Sequence, residues 1–178
     1  YSLVASIPHP GFPGNLGGDF CAVSKAVILS LEKAGVIKPE MVGKEKRILG
    51  RGQKRSPACF STSNHWEISV KGKKLAGSAQ RRLSRAFLQH GSILLDKDPE
   101  LAHSLLRYFS DSAKEQELRN LTSNTLTLNE VLPVNLEWGK LAQCFEDGFR
   151  ETFSVSWKPG PLSSLEMELV EKYLQESE

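Results

Sequence analysis

The order of apolar patterns in this chain predicts an α+β domain, a β-sheet with helices on one side. Three observations carry that expectation. Three short β-type runs are grouped within residues 58–96, stretches of helical period lie on both sides of them, and strands and helices do not alternate strictly as they do in a parallel α/β sheet. A chain of 178 residues, 39% hydrophobic and 25% charged, can bury a core of its own and reads as one domain over residues 1–178.

Taken in order, Tyr1 to Ile7 is a β-type run that needs neighbouring strands, and Pro8 to Gly18 is a Pro- and Gly-rich loop. Asp19 is expected to cap a helix reaching Ala34, with Phe20, Val23, Val27, Ile28 and Leu31 on its core face and Gly35 as its stop. Residues 38–55 carry seven Lys or Arg against two Glu. The stretch 38–57 therefore reads as a basic, flexible loop within the domain.

Strands are expected over Trp66–Val70, Leu75–Gln80 and Phe87–Leu95. Lys71-Gly72-Lys73 is a tight turn joining the first two into a hairpin. Asp98-Pro99 starts a helix that presents Leu101, Leu105 and Phe109, and Thr127 to Glu130 fits a capping box for a short helix. Asn135 to Thr152 places Trp138, Leu141, Ala142, Phe145 and Phe149 at helical spacing as core. Phe153 to Trp157 reads as an edge strand stopped by Pro159. Ser163-Ser164 then caps a last amphipathic helix through Leu165, Leu169 and Tyr173.

Composition also excludes. A net charge of +2 with no concentrated basic face and no aromatic interleaving argues against nucleic acid. No run approaches the roughly 20 apolar residues that cross a membrane, and a cytoplasmic protein is the default. Cys21, Cys59 and Cys144 lack the paired spacing of a zinc site and fit a reducing compartment, so no metal is expected. Cys21 and Cys144, on helical stretches, read as structural thiols.

The chemistry concentrates at the hairpin. Cys59 precedes its first strand and Lys74 follows its turn, and a hairpin brings such flanking residues together. An ammonium near a thiol favours the thiolate, which is the nucleophilic form. Gly77, Ser78 and Ala79 supply a strand with almost no side-chain bulk, suited to close approach of a ligand. The plainer reading stands beside this one, with Cys59 a small buried hydrophobe and Lys74 an ordinary turn lysine. His90, with no acidic orienting partner in view, reads as pocket-lining rather than catalytic. The basic run before Cys59 is suited to steering an acidic partner.

Two runs tip the balance: Gly72-Lys73-Lys74-Leu75-Ala76-Gly77-Ser78-Ala79-Gln80-Arg81-Arg82 and Leu88-Gln89-His90-Gly91-Ser92-Ile93-Leu94. They resemble the core motifs of the lipoate-protein ligase A and octanoyltransferase family, and Ala58-Cys59-Phe60 resembles its cysteine-dependent octanoyltransferase branch. The resemblance implies a biotin/lipoate ligase-like, class II synthetase-like catalytic domain built on a mixed β-sheet flanked by helices. It also implies an octanoyl transfer from acyl carrier protein to a lysine of a lipoyl domain such as glycine cleavage H protein, without a cofactor. Cys59 would be the acyl-thioester nucleophile. Lys74 would lower the thiol pKa and hold the acyl carbonyl, with Gly77, Ser78, Ala79, Gln80, His90 and Gly91 lining the substrate site.

In that family the opening run of this chain is an interior strand, preceded by an Arg-Arg-x-Thr-Gly-Gly segment absent here. The expectation is thus the carboxy-terminal two-thirds of the domain, incomplete at its amino terminus. Two alternatives remain open at this point: an ATP- and magnesium-dependent lipoate-protein ligase, and a non-catalytic partner subunit of such an enzyme.

Overall fold

The computed structural model describes residues 1–42, 66–105 and 107–176. Its elements are β1 (Ser2–Ser6), α1 (Leu16–Lys33), β2 (Glu40–Met41), β3 (Ile68–Val70), β4 (Lys73–Arg82), β5 (Ala86–Ile93), α2 (Pro99–Ser104), α3 (Asp111–Asn124), α4 (Leu128–Val131), α5 (Trp138–Phe153) and α6 (Ser164–Gln175). The strands form one five-stranded sheet in the order β1-β5-β4-β3-β2. Every strand pair among the described residues is antiparallel, and the only parallel element among them is an isolated bridge between Lys74 and Thr125. The class is α+β, as the apolar patterns imply. The basic run within 38–57 lies outside the described residues from position 43 onward.

α1 begins earlier than the Asp19 expected as its cap. Asn15 is the cap, its side-chain oxygen accepting from Gly18 N at 2.8 Å, because an extended Asn can satisfy the first turn's open N–H groups. Asp19 instead is fully buried, accepting from Gly14 N at 2.8 Å and pairing with Arg82 at the far end of β4. At the other end Gly35 takes φ 98°, the left-handed stop the sequence implies.

α1 and α5 pack against one another and contribute to one core with the sheet. Val23, Val27 and Leu31 meet Leu75, Ala76, Phe87, Leu141 and Phe149 there. The two helices touch where Gly148 faces Ser30, since a Cβ on Gly148 would lie 2.8 Å from the Ser30 main-chain nitrogen. Cys144 is buried in α5, as a structural thiol should be, and Cys21 is half-buried on α1.

Three expectations fail in the second half of the chain. Phe153 to Trp157 is not a strand. α5 continues through Phe153, whose ring packs tilted at 5.0 Å from Phe12 and 6.0 Å from Phe149, and Ser154 ends it at φ 52°. Trp157 then folds back to donate its indole N–H to Glu146 O at 2.9 Å. Trp138 is 74% exposed because it opens α5 ahead of the turns that reach the sheet. Leu101, Leu105 and Phe109 are likewise exposed around α2, although Asp98 caps that helix as expected, accepting from Leu101 N at 2.9 Å. The capping boxes at Thr127/Glu130 and Ser163/Glu166 both form. α6 buries no residue among the described ones.

Candidate active site

Lys71 and Gly72 form the two-residue loop of the β3–β4 hairpin, both at positive φ (51° and 77°), with Val70 and Lys73 paired across it. Positive φ at both central positions matches the twist of the flanking strands and favours Gly at the second. The strand then slips: Ile68 pairs with Ala76 but Ser69 with Lys74, so β4 carries one extra residue there. Such a bulge re-aims side chains. Here Lys74 is turned inward to only 3% exposure, not left in water as a turn lysine.

The Lys74 ammonium lies 2.7 Å from Oε1 of Glu67, itself 5% exposed just before β3. It extends along β4 over Gly77. A Cβ on Gly77 would lie 3.0 Å from Lys74 Cε and 3.3 Å from Nζ, so glycine leaves the room that the lysine occupies. The main-chain oxygen of Lys74 accepts from Leu126 N at 2.8 Å, which fastens the start of β4 to the segment after α3. Beyond the ammonium, Ala79 pairs with His90 and Gly77 with Ser92, and Ala79, His90 and Ser92 are exposed. Strand alternation puts Gly77, Ala79, His90 and Ser92 on one face.

Ser78, Gln80 and Gly91 belong to the other face. Ser78 Oγ and the Tyr1 hydroxyl share a hydrogen bond of 2.7 Å. Gln80 Nε2 donates to Gln89 Oε1 at 3.2 Å, and Gln89 Nε2 to the Tyr1 hydroxyl at 3.3 Å. Gly91 makes space for this network, since a Cβ there would lie 2.6 Å from both Ser78 Oγ and Tyr1 Cε1. Burial raises the Tyr1 hydroxyl above its ordinary pKa, with the Ser78 and Gln89 hydrogen bonds pulling the other way.

The residues expected to line one substrate site therefore divide. Gly77, Ala79 and His90 share Lys74's side of the sheet, while Ser78, Gln80 and Gly91 secure its underside. Cys59 lies outside the described residues. Glu67 is the participant that motif reading passed over. Its signal was present, as an acidic residue between Trp66 and Ile68 in an otherwise apolar strand entry, one strand across from a lysine.

A separate apolar groove of about 620 Å³ runs between β1 and α5, lined by Leu3, Val4, Trp138, Phe145, Phe149 and Trp157 among others, and no residue of the Lys74 cluster borders it. Among the described residues no group of three His, Cys, Asp or Glu side chains is placed to hold a metal ion, and no helix is long and apolar enough to cross a membrane.

The octanoyltransferase LipM of Kyrpidia tusciae is 32% identical over 178 residues, covering 98% of this chain and 64% of that protein. LipM of Bacillus subtilis is 30% identical over 173 residues, covering 96% and 62%. This chain thus spans slightly under two-thirds of the length of these curated relatives. Among solved structures, one from a study of the bipartite lipoate protein ligase of Thermoplasma acidophilum and its E2 lipoyl domain superposes with a TM-score of 0.73. Its identity is 16%, covering 96% of this chain and 57% of that one. Lipoate-protein ligase A bound with ATP gives a TM-score of 0.68 at 18% identity, covering 96% and 58%. The fold is that of these ligases. Residues 1–150 match the lipoyl protein ligase A/B catalytic domain, and it is to this family that the chain belongs.

Proposed function

We propose that this chain is part of a cytoplasmic octanoyltransferase of lipoate biosynthesis, working through Cys59 and Lys74. The observation that carries the reading is the buried Lys74 ammonium, laid over Gly77 on a face where β4 presents only glycine and alanine at 77 and 79. A fixed cation next to open backbone is what a developing oxyanion on an acyl carbon requires. The octanoyltransferase relatives, aligned over nearly the whole chain, support the same chemistry.

In the first step the Cys59 thiolate attacks the thioester carbonyl of octanoyl acyl carrier protein. A C–S bond to Cys59 forms, the bond to the carrier sulfur breaks, and the carrier leaves as a thiolate that takes up a proton. In the second step the ε-amine of a lipoyl-domain lysine attacks the Cys59 thioester. An amide forms, the amine loses a proton, and Cys59 is released. Splitting one difficult transfer into two is the contribution of a covalent nucleophile. Lys74 holds the acyl carbonyl and favours the Cys59 thiolate. The octanoyl chain lies along the Gly77–Ala79 face beside His90, and no cofactor takes part. The glycine cleavage H protein is the acceptor we favour.

The test is mass spectrometry of the full-length protein mixed with octanoyl acyl carrier protein, with and without Cys59→Ala. One octanoyl group is expected on Cys59, and none on the variant, which loses transfer. Transfer that persists undiminished in Cys59→Ala overturns the covalent route. If activity then requires a free acid, ATP and magnesium, the chain is a ligase. A full-length protein inactive in both assays is a partner subunit.

A further inference from the structure

The Glu67–Lys74 pair is buried at both ends, 5% and 3% exposed, and its atoms are 2.7 Å apart. Two charges removed from water cost more than a well-packed apolar pair would, and such pairs are often neutral or unfavourable for stability. An arrangement that is poor value for folding calls for another explanation at a strand that the hairpin and bulge have already re-aimed. A lysine side chain has four rotatable bonds and carries its charge as a point with no intrinsic direction. Backbone geometry alone does not fix where such an ammonium sits.

Three features together do. The extra residue of β4 brings Lys74 opposite Ser69, within reach of the residue that enters β3. Gly77 clears the path along the strand. Glu67 then anchors the far end of the side chain, directly above that glycine, at a hydrogen-bond length typical of ionised partners.

We propose that Glu67 is a positioning residue for octanoyl transfer, its carboxylate fixing the Lys74 ammonium over Gly77 where the acyl carbonyl is held. This rests on the transferase reading given above. Glu67 acts through Lys74, and its loss removes the 2.7 Å contact that helps to hold the ammonium over Gly77. A displacement of about 1 Å in a reacting group costs on the order of 10²-fold in rate.

The experiment is steady-state octanoyl transfer from acyl carrier protein to a lipoyl domain, in the full-length protein, for Glu67→Gln, Glu67→Asp, Lys74→Met and the double variant Glu67→Gln/Lys74→Met. Glu67→Gln is expected to lower kcat by about 10²-fold, with KM for the octanoyl carrier changed little. Glu67→Asp, which keeps the charge, recovers part of that loss. In the Lys74→Met background the Glu67 substitution costs nothing further, because a residue acting only through its neighbour has no effect once the neighbour is gone. A purely structural Glu67 gives the reverse pattern, with equal losses in both backgrounds, and that result overturns the proposal. So does an unchanged kcat in Glu67→Gln. If Glu67→Gln fails to fold, Glu67→Asp decides: a lowered kcat at unaltered KM supports positioning, and wild-type kcat ends it. If Lys74→Met alone transfers octanoyl groups normally, Lys74 has no part in the reaction and the positioning role fails with it; if the unsubstituted protein transfers no octanoyl group from acyl carrier protein, it is the transferase reading that fails, and the two failures are told apart.

Discussion

The two faces of β4 carry consecutive letters of one motif and do opposite things. On one, Gly77 and Ala79 withhold side chains so that the Lys74 ammonium and whatever it serves have room. On the other, Ser78 and Gln80 send side chains into a network with Tyr1 and Gln89 that ties β1, β5 and β4 together. A strand reads its two faces at alternate residues. A run such as Gly-Ser-Ala-Gln is therefore two interleaved patterns, one for access and one for attachment. The comparison says that changes at Gly77 should fall chiefly on activity, and changes at Gly91 or Tyr1 chiefly on stability.

The largest effect is expected at Gly77→Ala. The added methyl would sit 3.0 Å from Lys74 Cε and 3.3 Å from Nζ. The end of a lysine is flexible and can yield, so the fold tolerates the change, but the ammonium is pushed off its position. Octanoyl transfer in the full-length protein should fall by about 10²-fold in kcat with a melting temperature close to wild type. A normal kcat would show that the space over Gly77 is not used.

Gly91→Ala probes the opposite face, and its neighbours cannot yield so easily. The methyl would meet Ser78 Oγ and Tyr1 Cε1 at 2.6 Å and the main-chain oxygen of Gly77 at 2.8 Å. Overpacking of this kind costs about 1–3 kcal/mol, or about 2–4 °C in melting temperature per kcal/mol for a domain of this size. Thermal unfolding followed by circular dichroism measures it. A melting temperature unchanged from wild type would mean that the Tyr1 ring does not occupy the space above Gly91.

Much of this was legible in the letters, and the rest was hidden for physical reasons. The hairpin follows from Lys71-Gly72, because two positive-φ residues between β-type runs have few other uses. The helices announced by caps appeared where Thr127, Ser163 and Asp98 placed them. Alternation along β4 was also legible, but grouping Gly77, Ser78, Ala79 and Gln80 as one lining ignored it. The end of α5 was misread because Phe-Ser-Val-Ser-Trp has β-type composition. The competing signal was the four-residue spacing of Phe145, Phe149 and Phe153, which continues the helix's aromatic stripe. Glu67 stood out as an acidic residue in an apolar strand entry, but its partner did not. Its partnership with Lys74 depends on a one-residue slip between strands, and no pattern of period two reports such a slip.

The smallest effect sharpens the attachment face most cleanly. Tyr1→Phe keeps the ring, which packs 5.9 Å from Phe145 and from Phe149, and removes only the hydroxyl that bonds Ser78 and Gln89. One such network contact contributes about 1 kcal/mol, measurable as a shift in the urea midpoint at neutral pH. Its pH dependence has a definite sign. The Tyr1 hydroxyl is raised in the folded chain, first by burial, above the ordinary value of 10.0, so the folded state holds this proton more tightly than the unfolded state does. That contribution is complete below the ordinary value and is lost as pH rises through the folded one. Wild-type stability should therefore decline more steeply than that of Tyr1→Phe above about pH 10, and the two curves should run parallel below it. Parallel curves throughout would place the hydroxyl in water, and the underside of β4 would then be secured by Gln80 and Gln89 without Tyr1.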